Sequence, residues 1–179
     1  MIPTLTGTRL RLVPADASHL ELFYELNSSA AVMKHITGAI SSRIEVESEW
    51  SRRLGPRTDV ARGLGYWAGF LGDGRFVGWW GLGVPSDEQD AGELGFRIKP
   101  EFWRQGFGSD GARCVINHGF TATSISRIWA GTVSENTGSR ATLAKLGLRC
   151  IDEPASARLT YQITRQEWAA SGAGDPSST

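Results

Sequence analysis

The stretch from Glu93 to Ser109 most constrains what this chain can fold into. An apolar run ends there at Pro100 and is followed by Trp-Arg-Gln-Gly-Phe-Gly-Ser, which predicts a strand, a tight turn and a helix start. Glycines at 106 and 108 remove the Cβ atoms that would keep a ligand off the backbone, and the first N–H groups of a helix carry partial positive charge. The stretch therefore favours a ligand that bears a phosphate or pyrophosphate.

Two better-known glycine loops are excluded. A P-loop ends in Gly-Lys-Ser/Thr, which this chain does not contain. A dinucleotide fingerprint needs G-x-G-x-x-G directly after a strand, and here the third glycine is Gly111, one position late. A G-x-G pair also occurs in tight turns and in close helix packing, so the surrounding sequence has to decide between these uses.

Composition narrows the class of protein. The chain has 179 residues and a mass of 19.4 kDa, enough for one substantial domain. Nineteen basic residues balance nineteen acidic ones, so we expect no general attraction to nucleic acid or to an anionic membrane. The sequence shows no long apolar span and no signal-peptide layout, so the expected location is the cytoplasm. Two cysteines without C-x-x-C and three scattered histidines predict no metal site.

The order of elements predicts an α+β (α/β) protein. The runs 66–71 and 76–82 flank Gly-Asp-Gly-Arg and predict a hairpin, which the strand 94–98 extends into a meander. A helix from Gly108 and a strand over 127–133 then form a crossover, so the strands 94–98 and 127–133 should be parallel. We expect one domain over residues 1–168 and a flexible C-terminal tail over 169–179.

Three segments together resemble the GNAT superfamily of acyl-CoA N-acyltransferases. The family signature Arg/Gln-x-x-Gly-x-Gly/Ala matches at Gly106 and Gly108, with Trp103 in its first position. Two further segments are similar to the RimJ/RimL branch of the family. One is Asn-Thr-Gly-Ser at 136–139 followed by Lys-Leu-Gly-Leu at 145–148, and the other is Thr-Gly-Thr-Arg-Leu-Arg-Leu at 6–12. The resemblance covers nearly all of residues 5–165.

The resemblance implies a single-domain fold and a cofactor, acetyl-CoA. Its mixed sheet of about seven strands would combine an antiparallel meander with a splayed parallel pair, flanked by four to five helices. Pantetheine would enter the splay and pair with the backbone of Phe96, Arg97 and Ile98. The pyrophosphate would lie on the turn formed by Trp103, Arg104, Gln105, Gly106, Phe107, Gly108 and Ser109. Asn136 would contact pantetheine and Ser139 would lie near the thioester, while Arg104, Arg140 and Lys145 are cations available for the nucleotide phosphates.

Two positions depart from the family pattern. Trp103 replaces a polar residue, which the signature tolerates because its pyrophosphate contacts come mainly from the main chain. Leu143 stands where many relatives have a tyrosine, so a tyrosine proton donor is excluded at that position.

The reaction implied by the resemblance is attack of a neutral amine on an acetyl thioester. The N–H of Ile98 would stabilise the oxyanion of the tetrahedral intermediate. Glu93 is our candidate general base, directly or through a water, and Ser139 the candidate acid for the departing thiolate. Glu93 could equally be an edge carboxylate in a solvated loop, and Ser139 a hydroxyl that only satisfies the first turn of a helix. An α-amine, with a pKa near 7.7 to 8.0, gives up its proton to a base more readily than a lysine side chain, with a pKa near 10.4.

Other side chains have ordinary structural interpretations. Cys114 is expected to be a buried small hydrophobe rather than an acyl carrier. Adjacent Trp79 and Trp80 must face opposite sides of their strand, so at most one of them lines the acceptor cleft. Three acidic residues of the second helix either screen the acceptor or form a solvated face, which we favour: Glu45, Glu47 and Glu49.

The hypothesis is therefore an N-acetyltransferase that acts on a protein N-terminus or on a small-molecule amine. The rival from another class is a non-catalytic acyl-CoA sensor. Within the enzyme class, the rival is an aminoglycoside acetyltransferase, which a strongly acidic acceptor cleft would favour. A homodimer is left open.

Overall fold

The computed structural model describes residues 1–85, 88, 90–152 and 155–172. Within this part of the chain one eight-stranded sheet carries helices on both faces. The strands are β1 Leu5–Thr6, β2 Arg11–Pro14, β3 Gly65–Phe70, β4 Phe76–Gly83, β5 Ala91–Ile98, β6 Arg127–Val133, β7 Arg149–Cys150 and β8 Arg158–Thr164. The helices are α1 Leu20–Asn27, α2 Ala30–Met33, α3 Arg43–Leu54, α4 Phe107–Ala122, α5 Thr137–Lys145 and α6 Arg165–Ala170, and short 3₁₀ turns lie at Ala17–His19 and Pro100–Phe102.

The strand order across the sheet is β1-β2-β3-β4-β5-β6-β8-β7. Every neighbouring pair is antiparallel except β5 and β6, which run parallel because α4 carries the chain back between them. The predicted meander and parallel pair are confirmed. The number of strands exceeds the expected seven because the two-residue β1 also joins the sheet.

Each face of the sheet has its own hydrophobic cluster. On one face, α1 and α3 pack Phe23 and Trp50 against Tyr66, Ala68 and Trp79. On the other face, α4 and α5 cover a larger cluster of buried apolar side chains. All eight residues of β4 are buried as a result, as expected for a central strand covered on both sides.

Adjacent tryptophans on β4 show how the two faces differ. Trp79 belongs to the α1–α3 face, where it meets Trp50 and Tyr66 edge to face. Trp80 lies on the α4 face and donates its indole N–H to the carbonyl of Gly108 at 3.2 Å. A Cβ at Gly111 would come within 2.3 Å of the Trp80 ring, so glycine lets α4 pack this closely. The predicted opposite orientation of the two side chains is confirmed.

The connection between α1 and α3 begins with α2, which Ser29 caps by accepting from the N–H of Val32. The sequence predicts irregular structure around 33–41, and residues 34–41 indeed form no helix or strand. The start of the C-terminal tail needs correction. A tail was expected from residue 169, but α6 continues to Ala170 behind the Thr164 capping box. Residues 153–154, and residues 173–179 of the expected tail, lie outside the described residues. Among the described helices, none is long and apolar enough to cross a membrane.

Candidate active site

A gap opens in the sheet where β5 and β6 part. The two strands are paired at three positions only, from Ala91 with Arg127 to Glu93 with Trp129. Beyond them β6 continues to Val133 in pairing with β8, and β5 continues to Ile98 in pairing with β4. A cleft of about 910 Å³ occupies this gap and is lined from both faces of the sheet.

The open edge of β5 presents backbone groups to the cleft. The N–H of Lys99 donates to the carbonyl of Val77 at 2.9 Å, so the backbone groups of Lys99 point toward β4. Because this direction alternates along an antiparallel pair, the N–H and C=O of Phe96 and Ile98 point away from β4 and into the gap. The carbonyl of Ile98 accepts the indole N–H of Trp103 at 2.8 Å, so the groups left for a ligand are the N–H of Ile98 and the N–H and C=O of Phe96. Extended polar chains can pair with such an edge.

The turn before α4 leaves a run of backbone N–H groups free. Among the hydrogen bonds of the described residues, none uses an N–H from 104 to 109. Arg104 (φ 56°) and Gly106 (φ 84°) adopt the left-handed conformation, which an L side chain rarely takes. Successive amides in such a turn, at the start of a sixteen-residue helix, form a concave anion site.

The N-terminal segment fixes this turn from outside. The carboxylate of Asp110 accepts the backbone N–H groups of Thr8 and Arg9, both at 3.1 Å. The Arg9 guanidinium donates to the carbonyl of Gln105 at 2.6 Å and lies 4.1 Å from the centre of the Phe107 ring. Arg9 thus ties the turn to the N-terminal segment through a carbonyl, which leaves the N–H groups of the turn unused. Sequence analysis did not assign this role to Arg9.

The cations at the wall of the cleft differ partly from those predicted. Arg104 and Lys145 line the cleft, as expected. The guanidinium of Arg140 instead donates to the carbonyl of Ser134 at 2.9 Å and to the hydroxyl of Tyr161 at 3.3 Å, and Arg140 is absent from the described lining. Arg158, at the start of β8, lines the cleft and was not predicted.

Asn136 and Ser139 meet at the start of α5. The Asn136 side-chain oxygen accepts the N–H of Ser139 at 3.1 Å, so Asn136 is the N-cap of this helix. Both residues line the cleft and are partly exposed. The Ser139 hydroxyl is thereby held on the first turn of α5, beside the open end of β6.

Glu93 lies at the point where the paired strands separate. Its carboxylate lines the cleft and forms an ion pair with Arg57, and both side chains are about one-third exposed. Burial lowers the pKa of Arg57, but Tyr66 and Glu93 outweigh this effect and raise it. The carboxylate is therefore held in place by a permanently charged partner rather than lying free in a loop.

A buried polar network lies on the α1–α3 face beside the cleft. The guanidinium of Arg97 donates to Asn27 at 2.7 Å and pairs with Glu49 at 2.9 Å. Glu49 also holds Arg53, at 2.7 Å. Burial by itself raises the pKa of Glu49, but Arg97 and Arg53 outweigh it and lower the pKa to about 2. The solvated face expected for the acidic residues of this helix is therefore wrong for Glu49, since only 17% of its side chain is exposed.

The comparisons with known proteins agree with this geometry. A family model described as an acetyltransferase (GNAT) domain matches residues 9–149. The chain belongs to the GNAT acetyltransferase family. The FsC-acetyl coenzyme A-N(2)-transacetylase of Aspergillus fumigatus is 34% identical over 185 residues, which span 93% of this chain and 78% of that protein.

Solved structures share the fold at low sequence identity. A GNAT-family acetyltransferase from Bacillus anthracis superposes with a TM-score of 0.76 at 20% identity, over 92% of this chain and 99% of that one. Mycobacterium smegmatis RimJ in complex with CoA-disulfide gives a TM-score of 0.71 at 23% identity, over 96% and 95% of the two chains. The family model and the Aspergillus relative, rather than these structures, show that this GNAT protein is an acetyl-CoA-dependent N-acetyltransferase.

The cleft fits coenzyme A. The free amides from 104 to 109 suit its pyrophosphate, and the open edge at Phe96 and Ile98 suits the amide-bearing pantetheine arm. A Cβ at Gly108 would come within 3.2 Å of Ile98, so a larger residue there would narrow the passage between turn and strand. Arg104 and Lys145 supply positive charge at the same wall.

The structure brings most of the predicted site residues into one cleft. Its lining includes Glu93, Phe96, Arg97, Ile98, Trp103, Arg104, Gly106, Gly108, Ser109, Asn136, Ser139 and Lys145. Gln105 and Phe107 are absent from the described lining: the Gln105 side chain donates to the carbonyl of Glu101, and Phe107 is buried against Phe102. Cys114 is also absent from that lining; burial raises its pKa to about 11, as suits a structural thiol.

Sequence analysis missed several residues of the lining. His35 and Ile36 follow α2, and Arg53 ends the inner face of α3. The spacing of Glu49 and Arg53, four apart on a helix, was a signal that could have found one of them. Among the described residues, no group of three or more His, Cys, Asp or Glu side chains could hold a metal ion.

Proposed function

We propose that the protein transfers the acetyl group of acetyl-CoA to a primary amine by direct attack within a ternary complex. The observation that carries the proposal is the gap between β5 and β6, which is lined from both faces of the sheet. A donor bound at the amides of the α4 face and an acceptor entering from the α1–α3 face can meet there. The acceptor we favour is a small molecule with an amine of the α type, consistent with the N(2) specificity in the name of the Aspergillus relative.

Each proposed role follows from a position in the cleft. Bound acetyl-CoA supplies an activated acyl group as a thioester. Glu93 would take the proton that the acceptor ammonium must lose, directly or through a water. The backbone N–H of Ile98, which points into the gap, would donate to the carbonyl oxygen of the acetyl group as negative charge develops on it. As the bond between the acetyl carbon and sulfur breaks, the Ser139 hydroxyl would give its proton to the departing sulfur and take the second proton that the nitrogen of the new amide loses.

Steady-state assays with Glu93→Gln and Ser139→Ala, singly and together, test the catalytic roles. We expect each variant to lose about 10²- to 10⁴-fold in kcat, because general acid–base catalysis is worth that much, while calorimetry shows unchanged affinity for coenzyme A. Arg57→Gln is the matched control, since it breaks the same ion pair but keeps the carboxylate. Equal losses in Glu93→Gln and Arg57→Gln would mean that the ion pair, not proton transfer, matters.

The same double variant separates the proposal from a non-catalytic sensor. A sensor that binds acetyl-CoA without turning it over would show no acetylation of any amine in the wild type, and no change on substitution of Glu93 and Ser139. An amine panel with acetyl-CoA decides this point. It should include short peptides beginning with Ser, Thr or Ala, polyamines and aminoglycosides.

A further inference from the structure

The acceptor side of the cleft is distinct from the side that suits coenzyme A. The free amides precede α4, on the face of the sheet that carries Trp80. Arg53 belongs to α3 on the opposite face, where its guanidinium lies 4.6 Å from the centre of the Trp79 ring and 5.2 Å from that of Tyr66. Because both faces line one cleft, Arg53 is placed where an acceptor would enter.

The contacts of Arg53 leave one side of its guanidinium available. Its Nε and Nη2 donate to the same oxygen of Glu49, at 3.0 and 2.7 Å. No hydrogen bond or ion pair from Nη1 occurs among the described residues, and 20% of the side chain is exposed. Glu49 and the aromatic rings therefore hold the group rigidly while one nitrogen is free to donate.

The net charge around Arg53 is positive. Arg53 and Arg97 share the single carboxylate of Glu49, which leaves one positive charge uncompensated. The negative charge of Glu93 is balanced by its ion pair with Arg57. Among the charged residues of the described lining, Glu93 is the one acid. Arg104 and Lys145 lie at the wall that suits coenzyme A, so the cations named on the acceptor side are Arg53 and Arg97. Because no unpaired acid of the described lining lies beside them, a polycationic acceptor such as an aminoglycoside is not attracted here.

We propose that the acceptor carries a carboxylate in addition to its amine, and that Arg53 is the residue that binds this carboxylate. The proposal rests on the acetyltransferase function given above and specifies its substrate class. A guanidinium is always charged and donates strong hydrogen bonds to carboxylates, so it selects an anionic group over a neutral amide. The apolar residues Val32 and Ile36 line the same cleft, which suits an acceptor with an apolar body.

Matched acceptors isolate the carboxylate from the amine. Dipeptides that begin with Ser, Thr or Ala are compared with their C-terminal amides, because both members of a pair keep a peptide α-amine and differ in one charge. We expect the wild type to prefer the acids by about 10- to 100-fold in kcat/KM, as for one hydrogen bond between charged groups. Calorimetry with the acetylated dipeptides and their amides, in the presence of coenzyme A, should show the same preference in Kd.

Substitutions at two adjacent arginines assign the preference. Arg53→Gln should abolish it by lowering only the activity toward the acids, and Arg53→Lys should reduce it while keeping a charge beside Glu49. Arg52→Gln is the control, because Arg52 is exposed on the same helix and should leave the preference unchanged. Equal loss toward acids and amides, with a lowered melting temperature, would mean that Arg53 has only a structural role.

The outcomes for this inference and for the function are distinguishable. Wild-type acetylation of amides as efficient as that of acids, or a better rate with polyamines, would overturn the carboxylate proposal and leave the acetyltransferase intact. Absence of acetylation across the whole panel would contradict the proposed function itself.

Discussion

Replacement of Glu49 by glutamine tests how much the buried polar network of Glu49, Arg97 and Arg53 contributes to stability. The Glu49 carboxylate pairs with Arg97 and Arg53, and its pKa falls from the ordinary value of 4.5 to about 2. At 1.36 kcal/mol per pH unit, this difference corresponds to about 3 kcal/mol of stability at pH 7. Burial lowers the pKa of Arg97 despite its partner, yet the group stays charged, so Glu49→Gln also leaves an uncompensated buried cation. The expected loss is therefore about 3 kcal/mol or somewhat more.

Urea denaturation of the wild type and Glu49→Gln measures this loss and its pH dependence. Because the pKa is depressed in the folded protein, the stabilisation is present above pH 4.5 and is lost as the pH falls toward 2. The difference in free energy of unfolding between the two proteins should thus be largest at pH 6 to 7 and fall to about 1.4 kcal/mol at pH 3.

Glu47→Gln is the matched control for this experiment. It removes a carboxylate from the same helix, but from an exposed pair with Arg43 that should contribute little to stability, because solvent and salt screen exposed charges. A Glu49→Gln variant within 1 kcal/mol of the wild type at pH 7, or a difference that does not change with pH, would refute the reasoning.

Three further outcomes can be measured directly. Gly106→Ala should weaken coenzyme A binding at least tenfold by calorimetry, because the φ of 84° at this position in the amide turn is costly for alanine. Gly74→Ala is the control: its φ of 88° is similar, but it lies in the β3–β4 hairpin and should leave the affinity unchanged. Asn136→Ala should lower stability by about 1 kcal/mol through loss of the α5 cap, together with a raised KM for acetyl-CoA. Iodoacetamide at pH 8 should modify exposed Cys150 well before Cys114, whose pKa is raised to about 11; equal rates by mass spectrometry would contradict the buried placement.

The turn that suits pyrophosphate could be predicted because its information is local. Proline, two glycines and a helix start occur within ten residues. Proline fixes φ at its own position, and glycine permits the left-handed conformation that the turn requires. The parallel direction of β5 and β6 could also be predicted, because the helix between them carries the chain back to the same end of the sheet. The gap was expected only from family resemblance, because the point at which two parallel strands part is set by how α4, α5 and β8 pack.

The polar network shows why much of the acceptor side was missed. Glu49 was grouped with Glu45 and Glu47, although on a helix it lies beside Val46 and Trp50, which are buried. Its spacing to Arg53 indicated a pair on the helix surface. The partner that makes the pair buried is Arg97, 48 residues away, and only the packing of α3 against the sheet brings them together. Contacts of this range cannot be inferred from periodicity.

The network also explains how one strand can carry an open edge inside a cleft. From Leu94 to Ile98, β5 is paired with a strand on the β4 side only, since β6 has already diverged, and on its other side the carbonyl of Ile98 accepts the indole N–H of Trp103. The side chain of Arg97 ties this stretch to α1 through Asn27 and to α3 through Glu49. These bonds fix the strand through its side chain where pairing along its second edge is missing. Loss of Glu49 should therefore disturb the donor groups at Phe96 and Ile98 as well as the stability of the fold, which links the acceptor wall to the cofactor side of the cleft.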